Sequence, residues 1–494
     1  MKKMPMFVFL IGFNLAIGQV PDEVELNCFT IVVGKNASTD GSVLVAHNED
    51  DLNDHNFVDL HKVPRLKHEA GEQYKFLYDR DSTDVPGETN EYFWITGSQY
   101  IEEQYLNEWG VAITSNSSRS RVINGNGRID HNLRRIVIER ARTAREAVKQ
   151  SGSLVDEYGY ASSGRVYIIA DPNEAWVFEV ANGKHWIAKR VPDDEVVFIP
   201  NYYVIDDFIP SDTLNYLSSN DIIDYAVTNG WYNPQIDGSF IFRKVYCHPD
   251  RFNAVWNIAR RWVILNRFSE KRYGFSDEIP FSVRPKRKVD VQMLMDALQD
   301  HYENTGYENG FSLKKASPHK RNGFSVTDTM NVCNIYNDYA CITQLRSWLP
   351  AEIGNINWIA PRYPCIQPFI PWYYGIKEIP SDYEKATYAE ALENYNKKNR
   401  DYLAMYPGHA CWVFDDYANK IDSCYGVEIK ELMKWKTEFQ GNIFATIDER
   451  EKEIISSYYS SREKSLRMLT DLSNGFAEKA LAETREKLKK IRNR

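Results

Sequence analysis

The alternation of apolar and polar positions predicts an α+β fold in which strands come first and helices dominate the end of the chain. From Cys28 to Val33 the residues are mostly β-branched and apolar, which is typical of a buried strand. A turn over 34–41 contains the hairpin dipeptide Asp40-Gly41, and a second strand is predicted from Ser42 to Ala46. Antiparallel pairing of the two strands predicts that the residues following Ala46 lie beside Cys28.

The same patterns predict the rest of the architecture. A turn and a strand are expected over 107–116, and further strands over 165–170, 175–180, 185–190 and 196–204. An amphipathic helix is expected over 135–148, and helices over 252–265 and 291–302. Helical periodicity dominates from Tyr383 onward, and the last segment is strongly charged with an apolar stripe. No repeat or low-complexity linker divides the sequence. We therefore expect one domain over 28–494, with a helical C-terminal part from about residue 380.

The first 18 residues have the features of a signal peptide. Lys2 and Lys3 precede an apolar run over 6–17, and small residues end the run at Gly18. The run is too short to span a bilayer, so we expect export to the periplasm or the extracellular space without stable membrane insertion.

Residues 19–27 then form a short acidic propeptide before Cys28. A lipid-modified cysteine is the main alternative at such a position. It requires small residues directly before the cysteine, where this chain has Glu25 and Asn27. The sequence therefore favours proteolytic processing over lipidation.

Net charge and motif content indicate which ligands and partners the protein is expected to bind. A net charge of -9 argues against nucleic acid, whose phosphates require basic surfaces. The chain contains no P-loop, GxGxxG, HExxH or CxxC motif, so neither a cofactor nor a metal site is expected. Small peptides remain the expected substrates, and self-association is left open.

The number of cysteines singles out Cys28. The chain has seven cysteines, and an odd count in an exported protein leaves at least one thiol unpaired. If Cys28 is the unpaired thiol, the other six form either three disulfides or six buried thiols.

A cysteine at a processed N-terminus can act without a histidine, because its own α-amine can take the thiol proton. A carboxylate or amide must hold that amine, a role that Asp50 or Asn48 can fill. Asn116 and Asn201 are candidates to stabilise the oxyanion. The Cys28 thiol can also attack the carbonyl of Asn27, which would remove the leader without another protease.

A cysteine that opens a strand is more often a small core residue, but a family resemblance favours the catalytic alternative. Several blocks of this sequence resemble, in the same order, blocks of the dipeptidase A/secernin family of cysteine peptidases. These blocks are CFTIVVGKNASTDGSVLVAHNEDD, NEWGVAIT, ERARTAREAV, DPNEAWVFEVANGKHWIAKRVPDDEVVFIPNYY and ITQLRSWLPAEIGNINWIAP. They cover most of 28–375, and the block over 171–203 is the most specific.

The resemblance implies a four-layer αββα sandwich of the N-terminal-nucleophile (Ntn) hydrolase superfamily, removal of the leader by autocleavage at Asn27-Cys28, and hydrolysis of dipeptides through a thioester. It assigns the nucleophile to Cys28, the carboxylate that contacts the α-amine to Asp50, and the oxyanion-hole asparagine to Asn201.

The resemblance also predicts two basic residues near the nucleophile. His47 stands where relatives usually have an arginine; it is shorter and lacks a permanent charge, which predicts weaker activation of the thiolate or a shifted pH optimum. A second arginine is expected further along the chain, at Arg260 or Arg261.

Two other functions are compatible with the same residues. One is an N-acyl amide hydrolase of the same superfamily, acting on conjugated bile salts or penicillin-like amides. The other is a non-catalytic binding protein that keeps the fold. The downstream blocks favour the dipeptidase.

Overall fold

The computed structural model describes residues 28–50, 57–76, 80–97, 102–303, 305, 318–319, 331–394 and 401–492. The predicted signal peptide (1–18) and propeptide (19–27) lie outside these residues. The strands are β1 Phe29–Val33, β2 Val43–Asp50, β3 Leu60–Val63, β4 Gln73–Lys75, β5 Ser82–Asp84, β6 Tyr92–Thr96, β7 Glu102–Asn107, β8 Ala112–Ser117, β9 Tyr160–Ala170, β10 Ala175–Gly183, β11 Trp186–Arg190, β12 Val196–Ile199, β13 Tyr216–Ser218, β14 Ser282–Val283, β15 Asn337–Leu345, β16 Asn355–Pro361 and β17 Ile370–Tyr373.

The helices lie between the strands and then dominate the C-terminal part. They are α1 Asn132–Ile138, α2 Ala144–Tyr158, α3 Ile222–Thr228, α4 Phe242–Tyr246, α5 Pro249–Phe252, α6 Val255–Phe268, α7 Val291–Leu298, α8 Ala351–Gly354, α9 Tyr388–Asn394, α10 Tyr402–Met405, α11 Ala410–Ser460 and α12 Arg462–Arg492. Helices α11 and α12 contact each other, and α12 also packs against β17.

Two antiparallel sheets form the centre of the fold. The first has seven strands in the order β14-β12-β1-β2-β15-β16-β17, and the second has eight in the order β13-β11-β10-β9-β8-β7-β6-β3. Strands β1 and β2 occupy the middle of the first sheet. The start of β1, where Cys28 lies, is therefore surrounded by paired backbone on both sides.

The two sheets share one apolar core. Side chains of β1, such as Ile31, and of β9, such as Ile168, belong to the same buried cluster. Helices α1 and α2 cover the other face of the eight-stranded sheet, where they form a second cluster with residues such as Trp176. On the seven-stranded sheet, α6 contacts β12, and α7 contacts β2 and β15.

The prediction of an α+β fold with a helical C-terminal part is confirmed, and the first hairpin is formed as expected. Strands β1 and β2 pair antiparallel, with Phe29 opposite Asn48 and Thr30 opposite His47. The predicted strands over 165–170, 175–180 and 185–190 are β9, β10 and β11.

The single helix predicted over 135–148 is wrong. The chain forms α1 and α2 with a break between them, because Thr143 adopts an extended backbone and its side chain accepts a hydrogen bond from the amide of Glu146. This Thr-x-x-Glu spacing is a helix start signal that apolar periodicity alone does not reveal. The strand expected over 196–204 is also shorter, since β12 ends at Ile199.

Within the part of the chain that the structure describes, no helix is both long enough and apolar enough to cross a membrane.

Candidate active site

The β1–β2 hairpin places four polar side chains on one face of the seven-stranded sheet. Side chains alternate between the two faces of a strand, so Cys28 and Thr30 of the first strand share a face with His47 and Glu49 of the second. Cys28 is buried, with 1% of its surface exposed. A hydrogen-bonded chain connects the four residues and starts at this thiol.

Glu49 is the direct partner of the cysteine. The Cys28 thiol donates to Oε1 of Glu49 at 3.2 Å, and the other carboxylate oxygen lies 2.8 Å from Nε2 of His47. Sequence reasoning passed over Glu49 in favour of Asp50. Side-chain alternation along the strand could have identified Glu49. It lies two residues after His47 and therefore on the same face of the sheet.

The hydrogen bonds around His47 indicate which of its ring nitrogens carry a proton. The amide of Asn116 donates to backbone carbonyls, so its Oδ1 accepts from the hydroxyl of Thr30 at 2.7 Å. The Thr30 oxygen then accepts from Nδ1 of His47 at 2.8 Å, and Nε2 faces the Glu49 carboxylate. Both ring nitrogens are positioned to donate, which is the pattern of an imidazolium. His47 can thus place a positive charge beside the Glu49 carboxylate.

The electrostatics of this chain favour a neutral thiol in the uncleaved protein. Burial raises the pKa of the Cys28 thiol well above its usual value, and the negative charges of Glu49 and Asp50 raise it further. Burial also opposes ionisation of Glu49, but His47 and Arg134 outweigh it and lower the pKa of that carboxyl. A nucleophilic thiolate therefore needs a proton acceptor beyond Glu49.

Asp50 lies on the opposite face of β2 and is held by two amides. Asn334 donates to Oδ2 of Asp50 at 2.5 Å, and Asn337 donates to Oδ1. Its main-chain oxygen is 4.0 Å from the Cys28 sulfur. Burial raises the pKa of the Asp50 carboxyl to about 8, although Asn334 and the positive charge of Arg260 act in the other direction.

The arginine of helix α6 that reaches the site is Arg260. One guanidinium nitrogen donates to the carbonyl of Cys28 at 3.3 Å, and the other donates to Oδ1 of Asn201 at 2.8 Å. Arg261 points to the hydroxyl of Tyr202 and to the carbonyl of Pro280 instead. Of the two arginines that the sequence left open, the structure thus places Arg260 at the site and Arg261 away from it.

Asn116 and Asn201 both lie close to Cys28, but their amides are engaged with backbone. The Asn116 amide donates to the carbonyls of Cys28 and Ile199, at 3.3 and 2.8 Å. The Asn201 amide donates to the carbonyl of Ser117 at 3.0 Å. Their predicted role at the oxyanion stays a prediction, since a substrate carbonyl would have to replace one of these acceptors.

Two buried arginines on the side of the eight-stranded sheet also act on the site, and the sequence patterns did not predict them. Arg134 of α1 is buried, and its charge contributes to lowering the Glu49 pKa. Arg165 of β9 donates to Ser115 at 3.1 Å and interacts electrostatically with Cys28. Arg134 directly precedes the segment over 135–148 for which an amphipathic helix was predicted.

The other cysteines carry no disulfide in the structure, so the alternative of three disulfides is not met. All seven are free thiols, and all except Cys424 are buried. Apart from Cys28, the other cysteines are therefore buried thiols, except Cys424, which is partly exposed.

Comparison with known proteins places this chain among the cysteine peptidases. Residues 27–406 match the model of peptidase family C69. The chain belongs to this family.

Similar curated proteins span most of the chain. A probable dipeptidase B of Lactococcus lactis is 26% identical over 477 residues, which cover 92% of this chain and 92% of the relative. A probable dipeptidase A of Streptococcus pyogenes serotype M1 is 27% identical over 469 residues, which cover 91% of this chain and 97% of the relative. A probable dipeptidase of Latilactobacillus sakei is 26% identical over 427 residues, covering 82% of this chain and 83% of the relative.

Among solved structures, penicillin V acylase from Agrobacterium tumefaciens is similar with a TM-score of 0.31 and 12% identity, covering 68% of this chain and 82% of that one. A mutant of conjugated bile acid hydrolase from Clostridium perfringens gives a TM-score of 0.29 and 13% identity, covering 68% of this chain and 89% of that one.

The raised pKa of Asp50 predicts how the stability of the uncleaved chain depends on pH. A carboxyl with a pKa of about 8 in the folded state and 3.8 when unfolded keeps its proton only in the folded state between these values. Stability therefore falls as pH rises, by up to about 1.4 kcal/mol per pH unit for one proton. We expect thermal denaturation to show an Asp50→Asn variant gaining stability relative to its parent from about pH 5 to about pH 8. Both proteins should carry Cys28→Ala to prevent cleavage. A pH-independent difference between their midpoints would contradict the protonated Asp50.

Proposed function

We propose that this protein is a dipeptidase whose nucleophile is Cys28 at an N-terminus generated by autocleavage. The observation that carries the proposal is the position of Cys28 at the start of a central strand. Its thiol is hydrogen-bonded to Glu49, while Asn116 and Arg260 hold its carbonyl. The dipeptidase relatives supply the substrate class.

We further propose that the fold is the four-layer αββα sandwich of the Ntn hydrolases. Helices α1 and α2 lie against the eight-stranded sheet, the two sheets share a core, and α6 and α7 contact the seven-stranded sheet. This order of helices and sheets supports the assignment. In such a sandwich the nucleophile begins a strand in the middle of one sheet, which is where Cys28 lies.

The first step of the proposed reaction sequence removes the leader. The Cys28 sulfur attacks the carbonyl carbon of Asn27, and the thiol proton passes to the departing Cys28 amine, which leaves the leader attached as a thioester. Water then hydrolyses the thioester and releases the leader as a carboxylic acid.

The same chemistry then hydrolyses a dipeptide. The freed α-amine takes the thiol proton, the sulfur attacks the scissile carbonyl, and the protonated amine gives its proton to the departing amino acid. Water attacks the remaining thioester and regenerates the thiol. Asp50, fixed by Asn334 and Asn337, is the group proposed to hold the α-amine.

A substrate panel tests the activity. The purified full chain should release free amino acids from dipeptides, and a Cys28→Ala variant prepared in parallel should release none. N-acyl amino acids, conjugated bile salts and penicillin V are included as competing substrates. Hydrolysis confined to those amides would contradict the dipeptidase proposal, and hydrolysis of neither class would favour a binding protein.

We also propose that the chain is exported, on the strength of the charged and apolar pattern over 1–18. The test is a fusion of 1–27 to a reporter enzyme that folds only where disulfides form. Reporter activity supports export, and an inactive, soluble fusion argues against it.

A matched pair of His47 variants tests the hydrogen bond between His47 and Glu49. His47→Gln keeps a donor beside the Glu49 carboxylate and should lower kcat/KM by about tenfold, whereas His47→Leu removes the donor and should lower it by about 100-fold. Thermal denaturation checks that both variants keep the fold. Equal kcat/KM values for the parent and both variants would show that His47 does not act on Cys28 through Glu49.

A further inference from the structure

A second cluster of reactive side chains lies away from the catalytic hairpin. The donor atoms of His301, His319, Cys333 and Cys365 all lie within 4.8 Å of one another, and all four residues are buried. Even the most exposed of them, His301, has only 9% of its surface exposed. The proposed reaction uses none of these residues.

Three of the distances between these donors match the edges of a tetrahedral zinc site. Zinc–sulfur bonds of about 2.3 Å and zinc–nitrogen bonds of about 2.0 Å give tetrahedron edges of about 3.3 Å between two nitrogens and about 3.5 Å between nitrogen and sulfur. Nε2 of His301 lies 3.3 Å from Nε2 of His319. The same nitrogen of His319 lies 3.5 Å from the sulfur of Cys333 and 3.2 Å from that of Cys365.

The outer hydrogen bonds orient both histidines toward the centre of the cluster. Nδ1 of His301 lies 2.9 Å from a carboxylate oxygen of Glu303, and Nδ1 of His319 lies 2.8 Å from one of Asp422. A histidine that donates Nδ1–H to a carboxylate presents the lone pair of Nε2, which is the arrangement found at zinc-binding histidines. Two such lone pairs at 3.3 Å repel each other unless a shared proton or a metal ion lies between them, and a metal ion would also bind the two sulfurs beside His319.

We propose that His301, His319, Cys333 and Cys365 bind one Zn²⁺ ion in a closed structural site. Two thiolates and two imidazoles are a donor set that selects zinc, and four protein ligands leave no open position for a substrate. The sequence motifs predicted no metal site here. The ligands are separated along the chain by 18 residues between the histidines and by 14 and 46 residues from His319 to the two cysteines, so no short motif marks them.

The surroundings agree with a metal site. An apolar shell that includes Tyr363, Ile366 and Tyr417 encloses the two cysteines.

The ion would join distant parts of the fold. His301 follows α7, Cys333 precedes β15, and Cys365 lies between β16 and β17. The carboxylate of Asp422 extends the connection to α11 of the helical C-terminal part. A single zinc ion would thus connect the seven-stranded sheet to the helices that follow it.

Metal analysis of the purified full chain tests the site. Protein produced in zinc-supplemented medium should contain about one zinc per chain by elemental mass spectrometry, and Cys333→Ser and His319→Ala variants should contain almost none. Cys247→Ala is the matched control, since Cys247 is a buried free thiol outside the cluster and should leave the zinc content unchanged. Replacement of the zinc by cobalt should give the visible absorption of tetrahedral thiolate-bound cobalt.

The outer carboxylate gives a test that does not depend on removing a ligand. Asp422→Asn should weaken zinc affinity by about 10- to 100-fold in competition with a chromogenic chelator. Glu438→Gln, an exposed change on the same helix, should leave the affinity unchanged.

Three outcomes would overturn the proposal. One is a correctly folded parent chain that binds no zinc under these conditions. Another is iron bound in place of zinc. The third is an intact mass under non-reducing conditions that shows a disulfide between Cys333 and Cys365.

Discussion

Replacing Cys28 with alanine is expected to abolish both hydrolysis of dipeptides and removal of the leader. The proposed reactions share one nucleophile, and alanine removes the sulfur while leaving the backbone of the strand intact. Peptidase activity should fall to the background rate, and intact mass should show a chain that still carries residues from before Cys28. Thermal denaturation of the variant checks that the fold survives.

The control for this experiment is Cys247→Ala. Cys247 is buried like Cys28, yet its sulfur lies outside both clusters of potential ligands. This variant should be processed and active, so that a loss seen only in Cys28→Ala is assigned to the nucleophile. A Cys28→Ala chain that is nevertheless cut at Asn27-Cys28 would show that another protease removes the leader, and residual turnover would exclude Cys28 as the nucleophile.

A Cys28→Ser variant separates the two reactions further. A hydroxyl is a weaker nucleophile than a thiolate at neutral pH. Cleavage is intramolecular and needs to occur once per chain, so slow attack can still complete it, whereas repeated turnover of dipeptides would be lost. We therefore expect processed but nearly inactive protein, as measured by intact mass and by amino-acid release.

The hairpin around Cys28 could be predicted from the sequence because its signals are local. Apolar β-branched residues define β1, Asp40-Gly41 marks the turn, and antiparallel pairing then fixes which residues meet. The helix break at Thr143 was missed because a hydrogen-bonded cap, and not apolar periodicity, ends the pattern there. Strand β12 ended early because the residues after Ile199 turn away to place Asn201 beside Arg260.

The candidate site was predictable only in part, because only some of its residues are positioned by local sequence signals. Cys28 and His47 follow from the register of one hairpin, whereas Asn201 and Arg260 came from the family resemblance. Glu49 could have been found from the alternation of β2, but only its neighbours Asn48 and Asp50 were predicted to act in the site.

The four potential zinc ligands could not have been found from the sequence. They come from separate segments that meet only when the seven-stranded sheet and the helices after it have packed together. Spacing along the chain carries no information about such a site, because tertiary packing alone determines its geometry.

Removal of the zinc is the second change with a large expected effect, and it rests on the metal site proposed above. Cys333 directly precedes Asn334, whose side chain donates to the Asp50 carboxylate and whose backbone amide donates to the side chain of Asn337. An ion that fixes Cys333 would therefore also fix the residues that hold Asp50. We expect a strong chelator to lower the thermal midpoint by about 5–10 °C, because a ligand that binds only the folded state stabilises it. The kcat/KM for dipeptides should fall by about tenfold.

Two further measurements separate stability from positioning. One equivalent of zinc should restore both properties, while an excess should inhibit, since Cys28, His47 and Glu49 form a second group of potential metal ligands. Asn334→Ala should keep its zinc and yet lose activity, whereas Cys333→Ser should lose both. If chelation removes the zinc and lowers the midpoint without changing kcat/KM, the metal stabilises the fold but does not position Asp50. The connection between the two sites would then be wrong, although the zinc site itself would stand.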